Sequence, residues 1–213
     1  MLRKIVETVS DEQLRKDMER YRQQALKLGA TDAKVITTNA VMIDERVRAK
    51  CIHPKCRMYG TNINCPPYAM DLELVRKIVN KFQYAIFIML KVPSEEIAGP
   101  EVQKKRLETR SLVKGYEIIS KIEAEAFSDG YYLALAFSTG PCKAAFCPDI
   151  DCSALVPGQP CRHALRARGS MSGAGMDAFA MATKVGWDIY PIGVHTEPSS
   201  VPHGAVLGIV FIH

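Results

Sequence analysis

Apolar residues recur along this chain at two periods, and the change from one to the other marks its elements. Over residues 10–29, Leu14, Met18, Tyr21, Ala25 and Leu28 fall three or four apart, the signature of a helix with one buried face. Ser10 is placed to cap this helix, Gln13 completes a capping box, and Gly29 stops it. Ala33–Thr38 predicts a strand. Val41–Ala49 fits either state: Ile43, Val47 and Ala49 suit one face of a strand, and a helix is also compatible. Asp71 is placed to cap a helix running to Lys81, with Leu72, Val75, Ile78, Val79 and Phe82 inward. The continuous apolar run Tyr84–Val92 predicts a strand buried on both faces.

Pro93–Pro100 reads as a connector, followed by a long helix over 101–127 that buries Leu112, Val113, Tyr116, Ile119, Ile122 and Ala126. Gly130 breaks the pattern and Tyr131–Ser138 predicts another buried strand. A helix from Gly175 to Val185, ended by Gly186, is followed by a core Trp187 and by strands at Asp188–Val194 and Ala205–Ile212. The expected fold is α+β or α/β, one domain with two related halves around a central mixed sheet. Each half reads strand, cysteine loop, helix, strand. They span about 33–92 and 131–212 and are joined by the long helix.

Composition adds little to this picture. The chain has 213 residues, 47% of them hydrophobic and 24% charged, as expected of a soluble globular protein. No apolar run approaches the ~18–20 residues of a membrane span, and the N-terminus turns acidic early, so neither membrane insertion nor export is expected. The formal charge of +5 is spread out, apart from Lys104–Arg106 and Arg162, Arg166 and Arg168. A nucleic-acid footprint needs a denser basic patch, so no nucleic-acid partner is expected.

The cysteines carry the chemistry. Cys51, Cys56 and Cys65 read C-x4-C-x8-C, and Cys147, Cys152 and Cys161 repeat that spacing 96 residues later. Cys142 precedes the second set by five residues. Outside the cysteines the two loops match at no position, and the offset places Arg46 where Cys142 would have its counterpart. The halves therefore hold three thiols and four, on a spacing that suggests an internal duplication. An odd count of seven fits a disulfide framework poorly and fits a soft metal well.

Two metals fit this pattern. Zinc sites use C-x2–4-C knuckles, of which the C-x4-C steps are at the loose end; His53 and His163 could serve as further ligands, and a zinc site would leave thiols over. A cubane iron–sulfur cluster is wider than one ion and accepts wider spacing. Cys142, Cys147, Cys152 and Cys161 are expected to hold a complete [4Fe-4S] site. Cys51, Cys56 and Cys65 are expected to hold a second site, either open at one iron or completed by Cys142, His53, water or another subunit. Each cluster on four thiolates adds about −2, so two would bring the chain close to neutral. A closed cluster transfers electrons to a partner protein, whereas an open one binds substrate. A zinc-stabilised interaction module is the remaining alternative.

The flanks are less specific. Pro follows Cys65 and Cys147, as it follows one cysteine of bacterial ferredoxin motifs. Arg46, Arg48, Lys50 and Arg162 are either cations acting on the thiolates or a solvated basic edge. Gly169–Gly175 (GSMSGAG) reads as a tightly packed turn or as an anion cradle. His195, His203 and His213, and Asp149 and Asp151 between the cysteines, form no nucleophile–base set. Catalytic residues are thus not assignable, and a homo-oligomer is compatible with the sequence.

The stretches RVRAKCIHPKCRMYGTNINCPPYAMD and GPCKAAFCPDIDCSALVPGQPCRHALRARGSMSGAGMDAFAMATKVGW resemble the DUF2284 family, described as predicted metal-binding proteins. The resemblance covers roughly residues 33–212, all seven cysteines, Cys65–Pro67, Cys161–His163 and Gly186–Trp187. It implies metal binding through these cysteines and implies no reaction. The expectation is a cytoplasmic iron–sulfur protein.

Overall fold

The computed structural model describes residues 2–99, 110–193 and 195–213. Within them the fold is mixed α+β, with six helices and a five-stranded mixed sheet. Helix α1 (Asp11–Lys27) starts where expected: Ser10 Oγ accepts the Gln13 N–H, and Leu14, Met18, Tyr21 and Ala25 are buried. Strand β1 (Asp32–Thr37) pairs antiparallel with β2 (Tyr84–Val92), whose bounds match the apolar run. The ambiguous segment 41–49 divides. Ile43 forms an isolated bridge with Met176, and Asp44 then caps helix α2 (Glu45–Ile52) by accepting the Arg46 N–H. Helix α3 (Leu72–Val79) is capped by Asp71 and ends before Lys81.

The long helix is described as α4 (Arg110–Ser128); its expected first part, 101–109, lies outside the described residues. Strand β3 is shorter than expected, Leu135–Ser138. The chain before it is a turn, because Tyr131 is buried to reach Asp17 while Tyr132 and Leu133 face solvent. Helix α5 (Cys142–Phe146), the two-residue strand β4 (Gly169–Ser170), helix α6 (Ala178–Lys184) and strand β5 (Gly204–Phe211) follow. The strand expected at Asp188–Val194 is not formed over 188–193; Val194 lies outside the described residues. Pro191 lacks a ladder donor and Gly193 weakens pairing, so the apolar side chains of this segment pack beside the sheet instead.

The sheet order is β1-β2-β5-β3-β4, antiparallel except for β3 with β4. Alternation along β2 and β5 divides the core. Ile86, Ile88, Val206 and Val210 meet α1 and α4 on one face, while Phe87, Met89, Leu207 and Ile209 meet α3 and α6 on the other. Each half thus runs helix, strand, cysteine segment, helix, strand. Trp187 is core as expected: it stacks on Phe87 at 4.8 Å and donates its Nε1–H to Asp32 at 2.8 Å. An ion-pair network ties the ends of α1 and α4. Buried Asp17 accepts from Arg3, Arg20 and the Tyr131 hydroxyl, and Arg20 continues to Glu125 and Asp129. No helix among the described residues is long and apolar enough to cross a membrane.

Candidate metal centre

The cysteines are only partly in loops. Cys51 lies in the last turn of α2, Cys142 opens α5, and Cys147 caps the C-terminus of α5. The 96-residue offset therefore superimposes two short helices as well as the thiols. It also superimposes a turn: the Tyr59 N–H bonds the Cys56 carbonyl, and the Leu155 N–H bonds the Cys152 carbonyl. All seven thiols are free.

β1 and β3 run in opposite directions, so their cysteine segments leave opposite ends of the sheet. The first segment returns across the α3/α6 face through the Ile43–Met176 bridge, where the Asp44 N–H also bonds the Gly175 carbonyl. Gly175 makes this crossing possible with φ +72°, and a Cβ there would lie 2.6 Å from Leu72. The two segments then meet beside the end of β3. Asn64 Nδ2–H donates to Cys142 Sγ at 3.3 Å, and Cys142 Sγ lies 3.8 Å from Asn62 Oδ1. Asn62 is itself buried, its Oδ1 accepts the Asn64 N–H at 3.1 Å, and its carbonyl accepts the Cys65 N–H at 3.3 Å. Gly173 closes the contact, since a Cβ on it would lie 3.0 Å from the Asn64 carbonyl. Gly169–Gly175 is therefore a packing turn between the cysteine segments.

Electrostatics follow the same connections. Burial pushes the Cys142 thiol up to about 11; Asn64 opposes this, while Cys65, Cys152 and Cys161 add to it. Burial likewise raises Cys65, with Asn62 opposing and Cys56 and Cys51 adding. Burial raises Cys51, with Cys56 adding and Arg48 opposing. Burial raises Cys147, with Cys161 and Cys152 adding and Arg162 and Lys143 opposing. Cys142 is thus the thiol that senses both sets.

The basic residues divide. Arg48 donates to the carbonyls of Met70 and Ala69, closing the first segment while acting on Cys51. Arg162 and Lys143 brace the second by bonding the carbonyls of Asp151 and Ile150. Arg46 pairs with Asp44. His163 stacks on Phe146 at 5.3 Å, His203 lies against Tyr190, His213 lies against Tyr131, and His53 and His195 are exposed. Sequence reasoning passed over Asn62, Asn64 and Lys143. The Asn-x-Asn-Cys run of residues 62–65, two amides just before a thiol, is the signal that pointed to the first two.

Cys51, Cys56 and Cys65 line a cavity of about 1000 Å³, whose remaining wall comes from the chain after β3, the start of β5, α6 and residues 189–193. The other four thiols do not line it. Among the described residues no three His, Cys, Asp or Glu side chains stand ready-gathered around a single ion. The residues present nonetheless fit a soft metal group: free thiols, cations beside them, and a side-chain N–H aimed at Cys142 sulfur.

These features define a mixed α+β protein with seven free cysteines in two segments. Residues 34–211 match the family model described as "Predicted metal-binding protein (DUF2284)", and the chain belongs to that family. Neither a curated protein nor a solved structure matches the chain.

Proposed function

We propose that the chain is an iron–sulfur protein with two adjoining sites. Cys142, Cys147, Cys152 and Cys161 hold one [4Fe-4S] cluster, and Cys51, Cys56 and Cys65 hold a second. When bound, such clusters supply one-electron transfer. The observation that carries this reading is Cys142, a buried thiol from the second segment hydrogen-bonded by Asn64 of the first. That contact, one residue from Cys65, supports a reading in which the two sets adjoin within one chain. N–H groups on sulfur, and Arg48, Lys143 and Arg162 beside the thiols, stabilise added negative charge. Wide C-x4-C-x8-C spacing favours a cluster over zinc. A redox partner protein and a cytoplasmic location complete the proposal. The deciding experiment is iron, zinc and sulfide content per chain, prepared without oxygen. Iron and sulfide in equal amounts, with broad absorption near ~400 nm that bleaches on reduction, support it. Stoichiometric zinc in a colourless protein rules it out.

A second reading, an enzyme that binds substrate at the three-thiol site, is favoured by the cavity. The thiols that lack a fourth partner are the ones that line it.

A further inference from the structure

The cavity beside Cys51, Cys56 and Cys65 has a composition of its own. At about 1000 Å³ it is at the upper end of the size that buries most of a small organic ligand. Its walls are largely apolar: Val47 from α2, Phe179 from α6, and Ile189 and Ile192 from the segment that declined to become a strand. Phe179 is the clearest sign that this surface lacks a cover. The α6 residues Met181 and Ala182 are buried in the core, yet Phe179 on the same helix stays 54% exposed and borders the cavity.

Two charged side chains line the cavity, and they differ in how they are partnered. Asp177 is its acidic residue, and its carboxylate is engaged in capping α6 by accepting the Ala180 N–H at 3.0 Å. Lys50 is its cation, and it has no acidic partner among the described residues. The neighbouring cations are engaged: Arg48 on carbonyls and Lys55 on the Tyr59 ring. Ser172 also lines the cavity, and its hydroxyl makes no hydrogen bond among the described residues.

We propose that this cavity binds an apolar organic anion, a small molecule with a hydrocarbon or aromatic body against Phe179, Ile189 and Ile192 and a carboxylate at Lys50. The proposal deepens the second reading above, because such a molecule lies directly beside the three-thiol set. A buried apolar body supplies affinity and the charge-assisted contact supplies orientation.

The test is calorimetry on the full chain purified without oxygen, using decanoate, decan-1-ol and decylammonium as probes. Decanoate is expected to bind about tenfold more tightly than the alcohol, as a charge-assisted hydrogen bond implies, and decylammonium least. Lys50→Gln should bring decanoate down to the level of the alcohol and leave the alcohol unchanged. Phe179→Asp, at an exposed position where folding is little affected, should remove binding of all three. Ala178→Trp, which fills the cavity from the start of α6, should do the same, with circular dichroism to verify its fold. Equal binding of the three head groups, or full decanoate affinity in Phe179→Asp, overturns the proposal. Metal and sulfide content measured on the same samples decides the metal reading separately. Head-group-dependent binding to a chain free of iron and sulfide leaves the cavity assignment standing and removes the cluster.

Discussion

The second cysteine segment is strapped to α4 along its length. Arg168 pairs with Glu123, Arg166 pairs with Glu117 and lies over Phe146, and Phe146 packs edge-on to Tyr116. The first segment has the same thiol spacing and a different backing. Arg48 and Gly173 hold its base, and its three thiols face open volume. Identical spacing therefore supports two roles. On the proposed reading, a braced four-thiol site that changes shape little when its charge changes would suit electron transfer. A three-thiol site on a cavity leaves room for a ligand.

This contrast can be broken most decisively through the metal itself. Cys152→Ser is expected to lose the metal of the four-thiol site and loosen its segment, because ligation and folding are coupled. Cys51→Ser is expected to lose the other site and spare the first. Metal and sulfide analysis checks both, and complete loss of metal in Cys51→Ser would refute the partition.

The next largest effect lies away from both segments. Asp17→Ala leaves the Tyr131 hydroxyl without its acceptor and takes one carboxylate from Arg3 and from Arg20, which keep Asp129 and, for Arg20, Glu125 as partners; it is expected to cost about 2–3 kcal/mol in denaturant unfolding. Metal content per folded chain should not change. Burial pushes the Asp17 carboxyl up, but hydrogen bonds from Arg3, Gln13, Tyr131 and Arg20 outweigh it and hold the carboxyl well below its usual range. Its folded value is depressed, so its contribution is complete above the unfolded carboxylate value near ~4. That contribution is lost as pH falls through the folded value. An unfolding series from pH 6 to pH 2 should show this loss in the native chain and a smaller one in Asp17→Ala.

Gly173→Val tests the contact between the segments. Its side chain would press on the Asn64 carbonyl, and a loss of about 1–3 kcal/mol is expected. The smallest effect is that of Asn64→Leu. It removes the N–H on Cys142 Sγ and should lower the reduction potential of the four-thiol cluster at nearly unchanged stability. Protein-film voltammetry checks the potential, and an unaltered value would separate Asn64 from the cluster.

Much of the frame is legible in the residues. Tyr84–Val92 is apolar throughout because both faces of β2 are covered, and α1 announces itself through Ser10 and its three- and four-residue steps. Membership of a predicted metal-binding family is legible from the cysteine segments and their flanks. Other features depend on distant partners. Asp188–Gly193 has apolar residues of strand-like kind, but Pro191 and Gly193 disfavour pairing and its Ile189 and Ile192 line the cavity wall instead. Cys51 and Cys142 sit in helices because Asp44 caps one and Pro141 begins the other, which a Pro- and Gly-rich reading of the loops obscured. Asn64 acquires a role only when the fold brings it to Cys142, 78 residues away.

The Ile43–Met176 bridge also joins parts of the chain that are synthesised far apart. The four-thiol set lies within 20 consecutive residues, 142–161, strapped to a helix that precedes it. The three-thiol set reaches its position by docking on Gly175 and Met176, which a ribosome makes more than a hundred residues later. We expect a nascent chain stopped at residue 168 to leave Cys51, Cys56 and Cys65 open to alkylation, and the completed chain to slow that reaction. Equal rates in both would show that the first segment matures on its own. Slower alkylation in the completed chain would make the reactivity of these three thiols a report that the first segment has docked.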